Sequence, residues 1–229
     1  MENLIFIGLL FITIVLFLTI FKLNMKKAKE MQENKELEKI TDKFPENVEI
    51  AKEMLSLLGN KGVKIEEAKE TQTSLYIAVT NKISIADMKN NYARIQTIAH
   101  ECLHSCQDRT LLLFNFIFSN LNLVYFLLIS ILTCFKLINH QMLQVAILML
   151  LMFIQFVVRS YLEIDAMTRS RFFAKEYIEK KKLCTKEEEE KLLEQYKEIN
   201  KTGIPFTIWN LILNGFVRII IYCIICIIA

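Results

Sequence analysis

Four long apolar stretches restrict what this sequence can fold into. They lie at about residues 4–21, 111–135, 142–158 and 206–228. Stretches of about 17–25 apolar residues are long enough to cross a bilayer as helices. Between them the chain is rich in Lys and Glu, so its 53% hydrophobic and 23% charged residues are segregated rather than mixed. The sequence therefore predicts a multi-pass membrane protein with solvated parts.

The apolar stretches divide the chain into five segments. We predict an N-terminal transmembrane anchor over residues 1–22 and a cytoplasmic α+β segment over residues 23–110. A transmembrane hairpin follows over residues 111–158. A second cytoplasmic segment, made of helices, covers residues 159–205, and a C-terminal transmembrane helix covers residues 206–229. Loops with Lys and Arg close to the span ends usually lie on the cytoplasmic side of the membrane. Here these residues lie within the two solvated segments, next to the spans. We therefore expect a cell-membrane protein whose termini lie outside and whose solvated segments lie in the cytoplasm.

The first solvated segment has the pattern of a small α+β unit. Apolar residues at helical spacing predict a helix at 46–58, and "GNKG" after it supplies glycines suited to positive φ. "VKIEEA" and "TSLYIAVT" are typical of two short strands. The stretch from "ISIADMKNN" to "AHECLHSCQ" is then predicted to form one helix.

The second solvated segment is predicted to contain two helices. The first covers about residues 160–182. A capping box at Thr185–Glu188 begins the second, which is expected to end near Asn200. Gly203 and Pro205 are expected to separate it from the last span.

The stretch "TIAHECLHSCQ" contains two of the chain's three histidines, His100 and His104, with Glu101 directly after the first. Residues i and i+4 lie on one face of a helix, so both imidazoles can meet one metal ion. Glu101 is turned away from that line and can take a proton from a water that the metal activates. This is the H-E-x-x-H pattern of zinc peptidases. The alternative is two surface histidines on a polar helix next to the membrane.

A catalytic zinc ion needs a third protein ligand. Cys102 and Cys106 each follow a histidine by two residues and point to another face. The hairpin of spans returns the chain to the same side of the membrane near Glu163 and Asp165. We predict that one carboxylate binds Zn²⁺ and the other hydrogen-bonds a ligating histidine, with Glu163 favoured as the ligand. Asp165 can also form an ordinary i,i+4 pair with Arg169.

These residues resemble the YugP-type membrane zinc metallopeptidases of bacteria. The likeness covers most of the chain, from the N-terminal span to the stretch that follows the transmembrane hairpin. Its first motif is an H-E-x-x-H helix with a following Gln, which is matched by His100, Glu101, His104 and Gln107. Its second motif is an E-x-D-A stretch, which is matched by Glu163, Asp165 and Ala166. Leu103 and Ser105 depart from the Gly and Ala usual in the family, and neither position binds metal. The resemblance implies a neutral zinc peptidase with a zincin-like α+β part.

Taken together, the sequence predicts a mainly α membrane protein with about four transmembrane helices and a zinc peptidase site at the cytoplasmic face. Zn²⁺ would be held by His100, His104 and Glu163, and Glu101 would be the general base. The expected partners are the lipid bilayer and a membrane protein or peptide substrate. No basic block is interleaved with aromatic residues, so a nucleic acid partner is not expected. The alternative function is a non-catalytic membrane scaffold that retains a zinc site.

Three further features have less specific interpretations. An edge strand at 74–80 could pair with a substrate backbone, or could be an ordinary strand of the sheet. The oxyanion of a peptidase intermediate could be stabilised by Arg169, Tyr161 or Tyr92. A polar stripe in the last span is expected to face the helix bundle, and it consists of Asn210, Asn214 and Arg218.

Overall fold

A computed structural model describes residues 2–21, 34–68, 71, 73–88 and 91–229. Along this part the chain forms α1 (Glu2–Phe21), α2 (Lys35–Thr41), α3 (Asn47–Leu57), β1 (Lys64–Ala68), β2 (Leu75–Ile77), β3 (Lys82–Ala86), α4 (Arg94–His104), α5 (Arg109–Cys134), α6 (Gln141–Lys181) and α7 (Lys186–Ile228). Helices dominate, as predicted. The chain separates into an apolar unit, Met1–Leu23, Phe114–Tyr161 and Pro205–Ala229, and a motif unit, Asn24–Leu113 and Leu162–Ile204.

The apolar unit consists of helices whose surfaces are mostly hydrophobic and exposed. Three helices of the described part, α5, α6 and α7, are long and apolar enough to cross a membrane. The apolar stretch of α1 is shorter, Leu4–Thr19, so the fourth span stays a prediction. Ile117, Leu150 and Phe153 are each more than half exposed. Such a surface is unfavourable in water, whereas a bilayer would cover it.

Polar side chains join the helices of the apolar unit through hydrogen bonds. Asn122 of α5 donates to Gln155 of α6 at 2.8 Å, and Gln155 donates to the hydroxyl of Ser119 at 3.1 Å. The hydroxyls of Thr133 in α5 and Tyr222 in α7 are 3.1 Å apart. Because hydrocarbon offers no competing partner, these pairs satisfy groups that would otherwise be costly inside a membrane.

The polar stripe on α7 does not face the interior of the apolar unit, so that prediction is wrong. Asn210 and Asn214 are exposed, and Arg218 is half-buried. The buried face of α7 instead repeats every three or four residues through Trp209, Ile212, Phe216 and Ile219. These bulky apolar side chains bury more apolar area than the amides could, which decides the rotation of the helix.

The last two helices are longer than predicted. Helix α6 continues from its apolar half to Lys181, and α7 passes through Pro205 without a break. Pro205 has no N–H to donate to the carbonyl of Lys201, so one intrahelical hydrogen bond is lost. The predicted boundary at Gly203 and Pro205 is wrong because the turns gained on both sides outweigh one missing bond, as in many membrane helices.

The motif unit contains a three-stranded sheet in the order β1–β3–β2, with β1 parallel and β2 antiparallel to β3. The prediction of two strands before one long helix is wrong for β3, which had been assigned to the start of that helix. Ile83 and Ile85 of β3 are fully buried on either side of Ser84. Alternating β-branched residues, paired on both edges, favour a strand over a helix. The motif helix α4 therefore begins only at Arg94.

Helix α3 ends in the glycine turn that "GNKG" predicts. Gly59 has a φ of 70°, in the left-handed region. The N–H of Asn60 donates to the carbonyl of Leu55 at 2.9 Å, and that of Gly59 donates to Ser56 at 3.2 Å. This Schellman arrangement satisfies the last carbonyls of the helix. It also places the Asn60 amide 2.9 Å from the carbonyl of Ser105, at the C-terminal end of α4.

Arg94 fixes the other end of α4 from inside the core. Its side chain is 1% exposed. The guanidinium donates, over 2.5–3.0 Å, to the carbonyls of Thr41, Phe44 and Pro45 and to Oδ1 of Asn47. All four acceptors belong to the connection between α2 and α3 and its ends. One buried cation therefore ties this connection to the start of the motif helix.

Candidate metal centre

The three side chains predicted to bind zinc lie close enough to share one ion. Nε2 of His100 and Nε2 of His104 are 3.0 Å apart. Oε2 of Glu163 is 3.5 Å from the first nitrogen and 3.7 Å from the second. Among the described residues, this is the group of three His, Cys, Asp or Glu side chains that could hold a metal ion.

These distances fit a tetrahedral zinc site. Zinc binds imidazole nitrogen and carboxylate oxygen at about 2.0–2.2 Å, which puts two ligand atoms roughly 3.3 Å apart on a tetrahedron. The observed separations of 3.0, 3.5 and 3.7 Å surround that value. The side chains of His100, His104 and Glu163 remain 18%, 11% and 22% exposed, so a fourth ligand can reach the group from outside.

The two helices that carry the ligands are held by their buried faces. On α4 the fully buried residues are Ile95, Ile98, Ala99 and Cys102, and this face sets the rotation that leaves both histidines half-buried. On α6, Leu162 and Ala166 are buried on either side of Glu163. Cys102 packs in the core near the carbonyl of Ala51, away from the ligands, as predicted.

Gln107 connects His104 to the helix that carries Glu163. Nδ1 of His104 lies 2.8 Å from Oε1 of Gln107. Nε2 of Gln107 donates to the carbonyl of Leu162 at 2.8 Å and to Oδ2 of Asp165 at 2.9 Å. The prediction that the carboxylate not binding metal contacts a ligating histidine is therefore wrong for Asp165, since the longer amide of Gln107 fills the space between them.

Asp165 also accepts from the Arg169 guanidinium at 3.4 Å, the i,i+4 pair that its spacing allows. One sign of the Gln107 contact is visible in the sequence, because residues 104 and 107 are only three apart, and Gln107 lies in the turn that follows α4.

Glu101, the predicted general base, is buried near His100 and His104. It is 5% exposed, and its Oε2 accepts a 2.6 Å hydrogen bond from the backbone N–H of Tyr76. Burial raises the pKa of Glu101, and the charges of His100 and His104 offset this only in part. A carboxyl group with a raised pKa holds a proton more readily between its uptake and release, as a general base requires.

The charges near the group shift the pKa values of Glu163 and His104. Burial opposes ionisation of Glu163, but the two imidazoles outweigh it and hold the pKa of this carboxyl well below its usual range. Burial likewise opposes a charge on His104, yet Glu163 and Glu101 raise the pKa of this imidazole overall. Because an imidazole binds metal in its neutral form, a metal ion would compete with a proton for this group.

Two other predicted features have clear positions. The edge strand predicted at 74–80 is β2, which covers only Leu75–Ile77 and pairs with β3 on one side. Of the oxyanion candidates, Tyr92 is 1% exposed and packs in the core, which removes it from contact with a substrate. Arg169 is about half exposed, and Tyr161 is exposed in the apolar unit.

Comparisons of the chain with protein-family models, with curated proteins and with solved structures find no match. The resemblance to the YugP-type peptidases therefore rests on the motif residues quoted above and stays a prediction.

Proposed function

We propose that this protein is a membrane-bound zinc metallopeptidase. The observation that carries the proposal is the arrangement of His100, His104 and Glu163 around one point, with the buried carboxyl of Glu101 beside them. Three protein ligands with an accessible fourth position are typical of catalytic zinc sites, whereas structural sites are usually closed by four.

Each residue has a role that its position supports. A zinc ion at this point would polarise the substrate carbonyl and activate water at neutral pH. Glu101 would take the proton of that water and pass it to the leaving amine. The N–H of Tyr76 holds Oε2 of Glu101, and no hydrogen bond to Oε1 is found within the described residues. The free oxygen is thus the one that would receive the proton.

The chain that carries the site also carries three helices long and apolar enough to cross a bilayer. Substrates that reach the site most readily are therefore membrane proteins or peptides held near the membrane surface. Lys and Arg concentrate in the segments that flank the apolar helices. By the positive-inside rule, we place the site at the cytoplasmic face of the cell membrane.

The test compares the purified wild-type protein with Glu101→Gln and His104→Ala in detergent. Zinc content is measured by mass spectrometry, and activity is measured on a mixture of quenched fluorescent peptides. We expect Glu101→Gln to retain zinc and lose activity by about 10²-fold or more, and His104→Ala to lose both. A wild-type protein that binds zinc but cleaves nothing would favour the scaffold, and one that binds no metal would end the proposal.

A further inference from the structure

One side-chain amide, that of Gln107, contacts both helices that carry the ligands. The two amide hydrogens lie on Nε2, which is 2.8 Å from the carbonyl of Leu162 and 2.9 Å from Oδ2 of Asp165. A backbone carbonyl can only accept a hydrogen bond. The contact with Leu162 therefore fixes which end of the amide is nitrogen, and the oxygen Oε1 must face His104.

The orientation of the amide decides where His104 carries its hydrogen. Oε1 has no hydrogen to donate, so Nδ1 of His104, 2.8 Å away, must be the donor. A neutral imidazole with its hydrogen on Nδ1 has its lone pair on Nε2. This is the nitrogen that lies 3.0 Å from Nε2 of His100 and 3.7 Å from Glu163. Gln107 thus selects the tautomer of His104 whose free nitrogen faces the ligand group.

The same amide also sets the position of the third ligand. Leu162 and Asp165 lie on either side of Glu163 in α6, and Nε2 of Gln107 donates to both. A shift of α6 relative to the end of α4 would break these two bonds and release the amide that contacts His104. Carboxylate placement and imidazole orientation therefore depend on one side chain.

We propose that Gln107 is the positioning residue of this metal centre, holding His104 as an Nε2 ligand and fixing the Glu163 segment beside it. The proposal rests on the proposed function only in that this centre binds a divalent ion. Removing a group that orients metal ligands typically lowers metal affinity by about 10–100-fold.

The test compares Gln107→Met with Gln96→Met. Gln96 is a matched control, because it is a buried glutamine of α4 whose Nε2 donates to Oδ1 of Asn200 on α7 at 2.8 Å without touching a ligand. Zinc affinity is measured by competition with a chromogenic chelator on full-length protein in detergent. We expect Gln107→Met to weaken zinc binding by about 10–100-fold and Gln96→Met to leave it unchanged.

A second readout reports the tautomer directly. The chain has three histidines, so ¹⁵N-histidine NMR of metal-free protein resolves a small set of ring nitrogens. With the imidazoles neutral, we expect the hydrogen of His104 on Nδ1 in the wild type and in Gln96→Met, and loss of that preference in Gln107→Met. Equal zinc affinity in the two variants, or an unchanged His104 tautomer in Gln107→Met, overturns the proposal. A wild-type protein without zinc affinity contradicts the proposed function instead.

Discussion

The backbone N–H of Tyr76 donates a 2.6 Å hydrogen bond to Oε2 of Glu101, which joins the edge strand β2 to the motif helix α4. Tyr76 pairs with Ile83 in the antiparallel ladder. Alternate residues of such an edge strand turn their N–H groups outward, so Tyr76 presents the outward donor of this three-residue strand. The proposed base therefore occupies the point at which a substrate backbone would pair with β2.

Replacing Tyr76 by proline tests this hydrogen bond. Proline removes the outward N–H while the β2–β3 ladder keeps its bonds. A hydrogen bond to a charged group contributes about 1.5–3 kcal/mol, so we expect Tyr76→Pro to lower kcat/KM by about 10-fold or more with zinc content unchanged. Tyr76→Ala removes the same ring but keeps the N–H, and it should stay close to wild type. Equal activity of the two variants would show that the N–H does not position Glu101.

Glu163 and Asp165 provide a matched pair of carboxylates separated by one residue. Within the described part of the chain, Glu163 is the carboxylate grouped with the two imidazoles, whereas Asp165 accepts a hydrogen bond from Gln107. We expect Glu163→Gln to reduce zinc affinity by more than about 100-fold and Asp165→Asn by no more than about 10-fold, as measured by chelator competition. The reverse order would identify Asp165 as the ligand.

Parts of the structure that depend on neighbouring residues could be predicted from the sequence. Thr185 and Glu188 form the expected capping box, with bonds of 2.9 and 3.2 Å, because both partners lie within one turn. The proximity of His100 and His104 follows from their spacing along one helix. Glu163 could be proposed as their neighbour because two consecutive apolar stretches, if they form a transmembrane hairpin, would return the chain to the side from which it entered.

Features decided by distant contacts could not be predicted. The alternation in β3 covers only Ile83 and Ile85 and lies directly before the motif helix, so pairing with β1 and β2 decides that this stretch is a strand. Gln107 donates hydrogen bonds to Leu162 and Asp165, which lie more than 50 positions further along the chain. The spacing of nearby residues cannot predict such contacts. Pro205 is an ordinary helix terminator in a soluble chain, and only the length of α7 on both sides explains its position inside a helix.

Arg94 provides a test of how the motif helix is anchored. Removing a buried donor leaves several carbonyls without partners, and each such group costs about 1–3 kcal/mol. We expect Arg94→Ala to lower the free energy of unfolding by roughly 3 kcal/mol or more, and Arg94→Lys by less, since an ammonium can satisfy some of the four acceptors. Thermal unfolding in detergent measures both. Lys201→Ala, which loses only an exposed ion pair with Glu198, should differ little from wild type.

The ionisation of Glu53 is expected to make the stability of the fold depend on pH. Its carboxylate accepts from the Tyr177 hydroxyl at 2.5 Å and from the Lys181 ammonium at 2.6 Å, joining α3 to α6. Burial opposes its ionisation, but these two donors outweigh it and lower the pKa of Glu53 below its usual 4.5. A carboxyl group whose pKa is lower in the folded protein than in the unfolded one stabilises the fold at pH values above its unfolded pKa. This stabilisation is lost as the pH falls through its folded pKa.

We therefore expect the wild type to lose stability below about pH 4.5, and Glu53→Gln to be less stable at neutral pH by roughly 1 kcal/mol with a weaker decline in acid. Melting temperatures of both proteins over this pH range measure the difference. Identical acid profiles would mean that Glu53 does not contribute.

X-ray absorption spectroscopy of the zinc-loaded protein tests the metal centre most directly. We expect one zinc ion per chain with two imidazoles and a carboxylate oxygen, all at about 2.0–2.2 Å, and loss of one imidazole from the spectrum in His104→Ala. A sulfur ligand at about 2.3 Å, or a zinc environment that His104→Ala leaves unchanged, would contradict it.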